Sequence, residues 1–207
     1  MKTKNIFICL SLLFVAQVVS AQNNAEAIVR AMVNQVKSHK NMEMAFNYQI
    51  SPDGKNFSDS KEGHAWLQGE AYKIDMTEQQ YISDGKTIWT YLLDEEEAMV
   101  SNATEGEDNT PLKLLTSLDK NYVATLTNID PQGIATIELA NPEGQYKRVT
   151  LKIDAKKTML KNADIYIEDG TKIVVKVNEM KYDQNLDDAF FTFDEKKHPN
   201  VYVIDMR

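Results

Sequence analysis

A single cysteine, Cys9, is the only thiol in this 207-residue chain, and it lies inside an apolar N-terminal segment. Lys2 and Lys4, the apolar run Ile6 to Val19 and the small residues Val19-Ser20-Ala21 make up a secretory signal peptide. Cleavage after Ala21 is expected to leave Gln22 to Arg207, 186 residues with no thiol. That excludes cysteine nucleophiles, thiolate metal sites and disulfides together. Histidine is nearly as scarce: His39, His64 and His198 are the only three, and no pair has the spacing of metal ligands. There is no G-x-S-x-G elbow and no glycine-rich phosphate loop. The acidic runs Asp94 to Glu97 and Glu105 to Asp108 lack the alternating ligands and turn glycine of a calcium loop. Beyond the signal segment no apolar run is long enough to span a bilayer. These absences argue against an enzyme, a metal centre and a bound cofactor.

Positive charge is also in deficit. Removing Lys2 and Lys4 takes the formal charge from −8 to −10, which disfavours nucleic acid and anionic membrane surfaces as partners. What the chain has in quantity is apolar side chain, including nine methionines and aromatics in most of the extended segments. Methionine fills irregular space and repacks easily, so it suits surfaces that accept varied apolar partners.

The periodicities divide the mature chain into one helix followed by strands. Ile28, Met32 and Val36 recur at helical spacing over residues 23–39, with Val29 and Val33 widening the stripe. From Met42 the period becomes two, and Met42, Met44, Phe46, Tyr48 and Ile50 share a face. The stretch Gln79 to Leu115 organises the rest. Asp84-Gly85 predicts a tight primed hairpin turn, and the strand after it, Thr87 to Leu93, is apolar on both faces. Such a strand is covered on both sides or faces a cavity on one. Thr110-Pro111 then predicts a second helix, ending near Leu118. Further strands separated by tight turns continue to Ile204, with no βαβ rhythm and no domain boundary. The expected fold is mainly β with some α: one domain over residues 22–207, built as an incomplete, strongly curved antiparallel β-barrel. Helices are expected to act as a lid over its concave apolar face.

Four short motifs, in order along the mature chain, carry a family resemblance. They are Ile82-Ser83-Asp84-Gly85-Lys86-Thr87-Ile88-Trp89, then Asn109-Thr110-Pro111-Leu112, then Phe191-Thr192-Phe193-Asp194, and the ending Pro199-Asn200-Val201 with Val203-Ile204-Asp205. With the signal segment and leading helix, the chain resembles the periplasmic lipoprotein carrier family LolA. The resemblance implies a monomeric carrier that takes the acyl chains of lipoproteins from an inner-membrane lipoprotein-releasing transporter and passes them to an outer-membrane acceptor. It implies lid residues Ile28, Met32, Leu112 and Leu115, and wall residues Phe46, Tyr72, Ile74 and Met76, with Trp89 added as a lining residue. The same fold used for lipid sensing or protein binding, without transport, is the alternative. Many members carry Lys-Arg-Pro after the second strand, whose arginine helps hold the lid; here that place is Gln68-Gly69-Glu70. This departure leaves three readings: the latch comes from elsewhere, the cavity stays open, or the cargo differs.

Overall fold

The structure, a computed structural model, describes residues 24–103, 118, 122–143 and 146–207. The expected signal segment, and the second expected helix with Leu112 and Leu115, lie outside those residues. The period-two segments form strands at nearly the positions expected. The first six are β1 (Met42–Ser51), β2 (Lys61–Gln68), β3 (Ala71–Asp75), β4 (Gln79–Ser83), β5 (Thr87–Leu92) and β6 (Glu97–Asn102). The second six are β7 (Val123–Ile129), β8 (Ile134–Ala140), β9 (Tyr146–Asp154), β10 (Met159–Ile167), β11 (Lys172–Tyr182) and β12 (Tyr202–Asp205). They build one 12-stranded sheet in the order β12-β6-β5-β4-β3-β2-β1-β11-β10-β9-β8-β7. β12 and β7 end it on either side, so the barrel is open. β1 sits inside the sheet, antiparallel to both β2 and β11.

Two features differ from expectation. β12 runs parallel to β6, the one parallel pair in the sheet, because residues 183–201 return over the outer face before pairing. Among the described residues there is one α-helix, α1, over residues 24–37, where several were expected; two short 3-10 turns lie at Asp188–Phe191 and Glu195–Lys197. Curvature has local causes: the β1–β11 pairing shifts register at Ala45/Phe46, and the β9–β10 pairing at Leu160/Asn162 and Tyr166/Ile167. An extra residue at such points bends its strand and increases twist.

Register sorts the side chains by face. Ile74, Tyr81, Thr90 and Met99 stand opposite one another across β3 to β6, so they share the inner face. Lys73, Ile82, Trp89 and Val100 share the outer one. The main core lies on the inner face from β7 through β11 and β1 to β3, with α1 packed over it. Ala25, Val29, Met32, Val33 and Val36 are the buried residues of α1, so its stripe is centred one position beyond the Ile28 edge. Each fully buried aliphatic side chain there gains roughly 1.5–3 kcal/mol from leaving water. On the outer face a smaller cluster joins Ile82, Tyr91 and Ala98 to Phe193, with Trp89, Leu93, Val201 and Val203 packed against it. The doubly apolar β5 strand is therefore covered on its outer side by the C-terminal segment.

The Asp84-Gly85 hairpin is not a two-residue primed turn. Only Gly85 takes the left-handed conformation, at φ +87°, and three residues connect β4 to β5. The Asp84 carboxylate closes the loop instead, accepting from the backbone N–H of Lys86 at 2.8 Å and of Thr87 at 2.7 Å. This is the local side-chain capping that makes Asp common in turns.

Gly63 on β2 stands opposite Phe46 on β1, and the Phe46 ring lies over it. A Cβ at Gly63 would sit 2.5 Å from Phe46 Cζ, well inside contact distance. Glycine is needed there to let the ring lie down on the sheet. Gly63→Ala is expected to force the ring aside and cost about 1–3 kcal/mol, a fall of roughly 2–10 °C in melting temperature. Thermal unfolding followed by circular dichroism checks it, and an unchanged midpoint would show that the ring has another place to go.

Candidate ligand-binding face and its helix

Six of the expected lid and wall residues, Ile28, Met32, Phe46, Tyr72, Ile74 and Met76, belong to the one inner-face cluster. β1 delivers Phe46 through strict alternation, and β3 delivers Tyr72 and Ile74 in the same way. Met76 follows β3 with the same parity and is half-buried against the cluster. α1 delivers Met32 fully into the contact and Ile28 at its margin. Trp89 does not belong with them. Its register with Ile82 and Val100 puts it on the outer face, in the smaller cluster beneath the C-terminal segment. The doubly apolar β5 sequence carries no parity signal, so only the pairing decides its faces. Leu112 and Leu115 lie outside the described residues.

Other inner-face residues complete the surface. Met42, Met44 and Tyr48 are buried beside Phe46, and their common face was visible in the period-two run of β1. Tyr81 joins from β4 opposite Ile74, a neighbour that only the register reveals. The Tyr48 hydroxyl accepts from the Thr77 backbone N–H at 3.4 Å. Burial raises the Tyr81 phenol above its ordinary range, against a smaller opposing effect of its hydrogen bond with Gln79, so it is neutral at physiological pH. The inner face here is mostly rings, aliphatics and thioethers, with Lys61, opposite Tyr48 and paired with Glu78, as a charged residue at its margin. It offers adaptable apolar contact with a few hydroxyls, such as those of Tyr48 and Tyr81. No group of three or more histidine, acidic or cysteine side chains gathers to hold a metal among the described residues.

On the outer face, Asp75 carries the one buried side-chain oxygen without a partner among the described residues, its Oδ1. Burial raises its pKa, against Lys73, whose ammonium lies 3.5 Å from Oδ2. Lys73 also lies over the Phe190 ring at 5.2 Å, which ties β3 to the C-terminal segment.

The C-terminal end of α1 is held where the chain turns into β1. His39 Nδ1 and Asp183 Oδ2 are 2.7 Å apart, and the His39 ring stacks on Tyr182 with centroids 4.1 Å apart. The other Asp183 oxygen accepts from the Lys40 backbone N–H at 2.8 Å. Asn41, almost fully buried, accepts from the Gln184 backbone N–H at 2.7 Å and donates to the Gln184 carbonyl at 2.8 Å. Its amide also donates to Gln68 at 3.1 Å. Gln68 opens the Gln68-Gly69-Glu70 stretch that stands where the family's basic motif would be. The helix end is thus fastened by a histidine, an asparagine and a carboxylate from beyond β11, residues with no sequence signature.

Asp183 adopts the left-handed conformation at φ +55°, which Asp and Asn tolerate better than most residues. The His39 hydrogen bond, then that from Lys40, holds its carboxyl below the usual carboxylate range. A carboxylate so lowered stabilises the fold above the ordinary Asp value, near 3.9, and that contribution fades as pH falls through the lowered value. Asp183→Asn keeps the backbone preference and an acceptor for Lys40 while removing the charge. It is expected to lower the melting temperature at pH 6, with the difference from the parent closing as pH falls below the ordinary Asp value and through the lowered one. It should also speed hydrogen exchange of the last turn of α1 at pH 6. A melting difference that stays constant across that range would exclude the carboxylate as the source.

No curated protein sequence matches this chain. The family model described as outer membrane lipoprotein carrier protein LolA matches residues 40–194. Among solved structures, an uncharacterized conserved protein from Thermus thermophilus superposes with a TM-score of 0.55 at 12% identity, covering 85% of this chain and 98% of that one. A LolA superfamily protein from Nitrosomonas europaea gives 0.43 at 13%, covering 82% and 97%. A putative outer membrane lipoprotein-sorting protein domain from Vibrio parahaemolyticus gives 0.46 at 9%, with 82% and 97% covered. At such identities the first of these speaks for the fold alone.

Proposed function

The chain belongs to the LolA family, and from that premise we propose that it binds the acyl chains of lipoproteins in the periplasm and carries them from the inner to the outer membrane. The observation that carries this reading is the uninterrupted apolar inner face with one amphipathic helix laid on it. An acyl chain gains roughly 0.8 kcal/mol for each methylene it buries, on the order of 11 kcal/mol for a palmitoyl-length chain. Here that gain is not free. The face is already covered by Val29, Met32 and Val33, so a ligand must displace that cover or share it. Net affinity is then a difference between two apolar contacts, which suits a carrier that must also release its cargo. Half-buried methionine at Met76 and Met180 can adjust to chains of different shape. The acylated lipoprotein is the cargo, an inner-membrane lipoprotein-releasing transporter the donor, and an outer-membrane acceptor the recipient.

The test is native mass spectrometry of the protein purified from its own periplasm, and again after incubation with a triacylated lipopeptide. Bound lipid mass is expected. Ile28→Glu and Met76→Glu change side chains that are only half-buried. Each should lower occupancy about tenfold while the melting temperature stays near that of the parent. A protein that stays empty with both sources overturns transport. An empty protein that co-purifies in stoichiometric amount with one envelope protein would favour the binding-module alternative.

A further inference from the structure

The C-terminal segment has a fixed part and a weakly held part. Phe191 and Phe193 are buried at 1% and 6% exposure, and Phe193 stacks on His198 with centroids 5.0 Å apart while meeting Tyr91 edge-on. Asp194 caps the Glu195–Lys197 turn. Beyond the exposed Pro199-Asn200 pair the hold weakens. β12 has only four residues and runs parallel to β6 from Tyr202 opposite Glu97 to Asp205 opposite Val100. Parallel pairs are somewhat less stable per residue than antiparallel ones, and four residues form few bonds. Tyr202 and Met206 are 70% and 59% exposed. Val201 and Val203 supply the apolar contact, against the cluster that includes Trp89 and Leu93. Residues 200–207 can therefore lift from the sheet while Phe191 and Phe193 stay seated.

Lifting β12 leaves the edge of β6 unpaired over Glu97 to Val100, next to an apolar patch. β12 shows what that edge accepts: an extended strand parallel to β6, aliphatic at alternate positions, with the backbone N–H following it donating to the Val100 carbonyl at 2.9 Å. Charge defines the far end. Asp84 and Glu195, both outside the segment, attract Arg207, whose direct partner Asp205 moves with it. The acidic run Asp94 to Glu97 precedes the edge and disfavours acidic side chains at the near end.

We propose that the β6 edge is a docking site for an extended segment of a partner protein, aliphatic at alternate residues and basic at its C-terminal end, and that β12 is the chain's own displaceable occupant. The site adds a strand to an existing sheet, so main-chain hydrogen bonds supply affinity and the valine positions supply selectivity. It lies on the side of the sheet away from the ligand face and does not depend on the carrier reading.

The probe is a fluorescently labelled peptide with the sequence of Asn200 to Arg207, offered to the full chain and to full chain carrying Val203→Glu, which weakens its own β12. Fluorescence anisotropy is expected to show at least tenfold tighter binding to the variant. A peptide carrying the same Val203→Glu change should lose that binding. Hydrogen exchange on the unmodified chain gives a reading independent of the variant's folding: amides 202–206 should exchange at least a hundredfold faster than those of β1. Equal peptide binding by both proteins, or β12 amides protected as strongly as β1, overturns the proposal. Dimers of the unmodified chain that vanish on Val203→Glu would assign the edge to a second copy and overturn the partner assignment.

Discussion

An apolar sheet face is costly to leave in water, and most of this structure follows from the ways its two faces are covered. The inner face runs unbroken through β7 to β11 and β1 to β3, with few charges to interrupt it. Helix α1 provides cover with five buried residues at helical spacing. On the outer face the C-terminal segment crosses the apolar β4 to β6 region with Phe193, Val201 and Val203, and its Phe190 meets Trp66 of β2 edge-on. Much of the rest of the outer face is polar. It carries charged and polar residues such as Lys73, Glu138 and Arg148, which pair or stack where they stand.

The two covers differ in what holds them, and the difference bears on function. α1 is fastened at one end by a short polar cluster around Asp183 and along its length by apolar contact. Apolar contact is non-directional, so an acyl chain can replace part of it without leaving a polar group unsatisfied. The outer cover is anchored by stacked rings near Phe193 and then tapers to a short parallel strand. Backbone hydrogen bonds hold that strand, and they can be exchanged only for those of another strand. On the readings proposed above, the inner cover competes with lipid and the outer one with polypeptide.

Much of this was legible before any coordinates. The period-two runs placed nearly every strand within a residue or two, because each has one buried face and the alternation had to appear. The helical stripe of α1 was equally plain, though its centre lay at Val29 and Val33 and not at Ile28. Parity puts Phe46 on the face of Met42, Met44, Tyr48 and Ile50, whereas the assignment of Phe46, Tyr72 and Ile74 to a wall is what the family resemblance implies. Legibility ended where pattern ended. The run Ile88-Trp89 is apolar at both parities, so nothing local says which residue points inward. The hairpin at Asp84-Gly85 was recognisable as a turn, but its length depended on the Asp84 carboxylate capping two backbone donors. The fit of the Phe46 ring over Gly63 needs the β1–β2 register, which neither strand reports alone.

The sequence by itself determined the elements: a leading amphipathic helix, strands in succession, and a face rich in methionine and aromatics. These are local properties, set by side-chain spacing and backbone preference over a handful of residues. Tertiary structure alone decided the pairings between distant segments. It joined β1 to β11, placed Asp183 against His39 across 144 residues, returned β12 in parallel to β6, and sent Trp89 to the outer face. Each of these depends on which surfaces remain uncovered once the local elements have formed, and that is a property of the whole sheet.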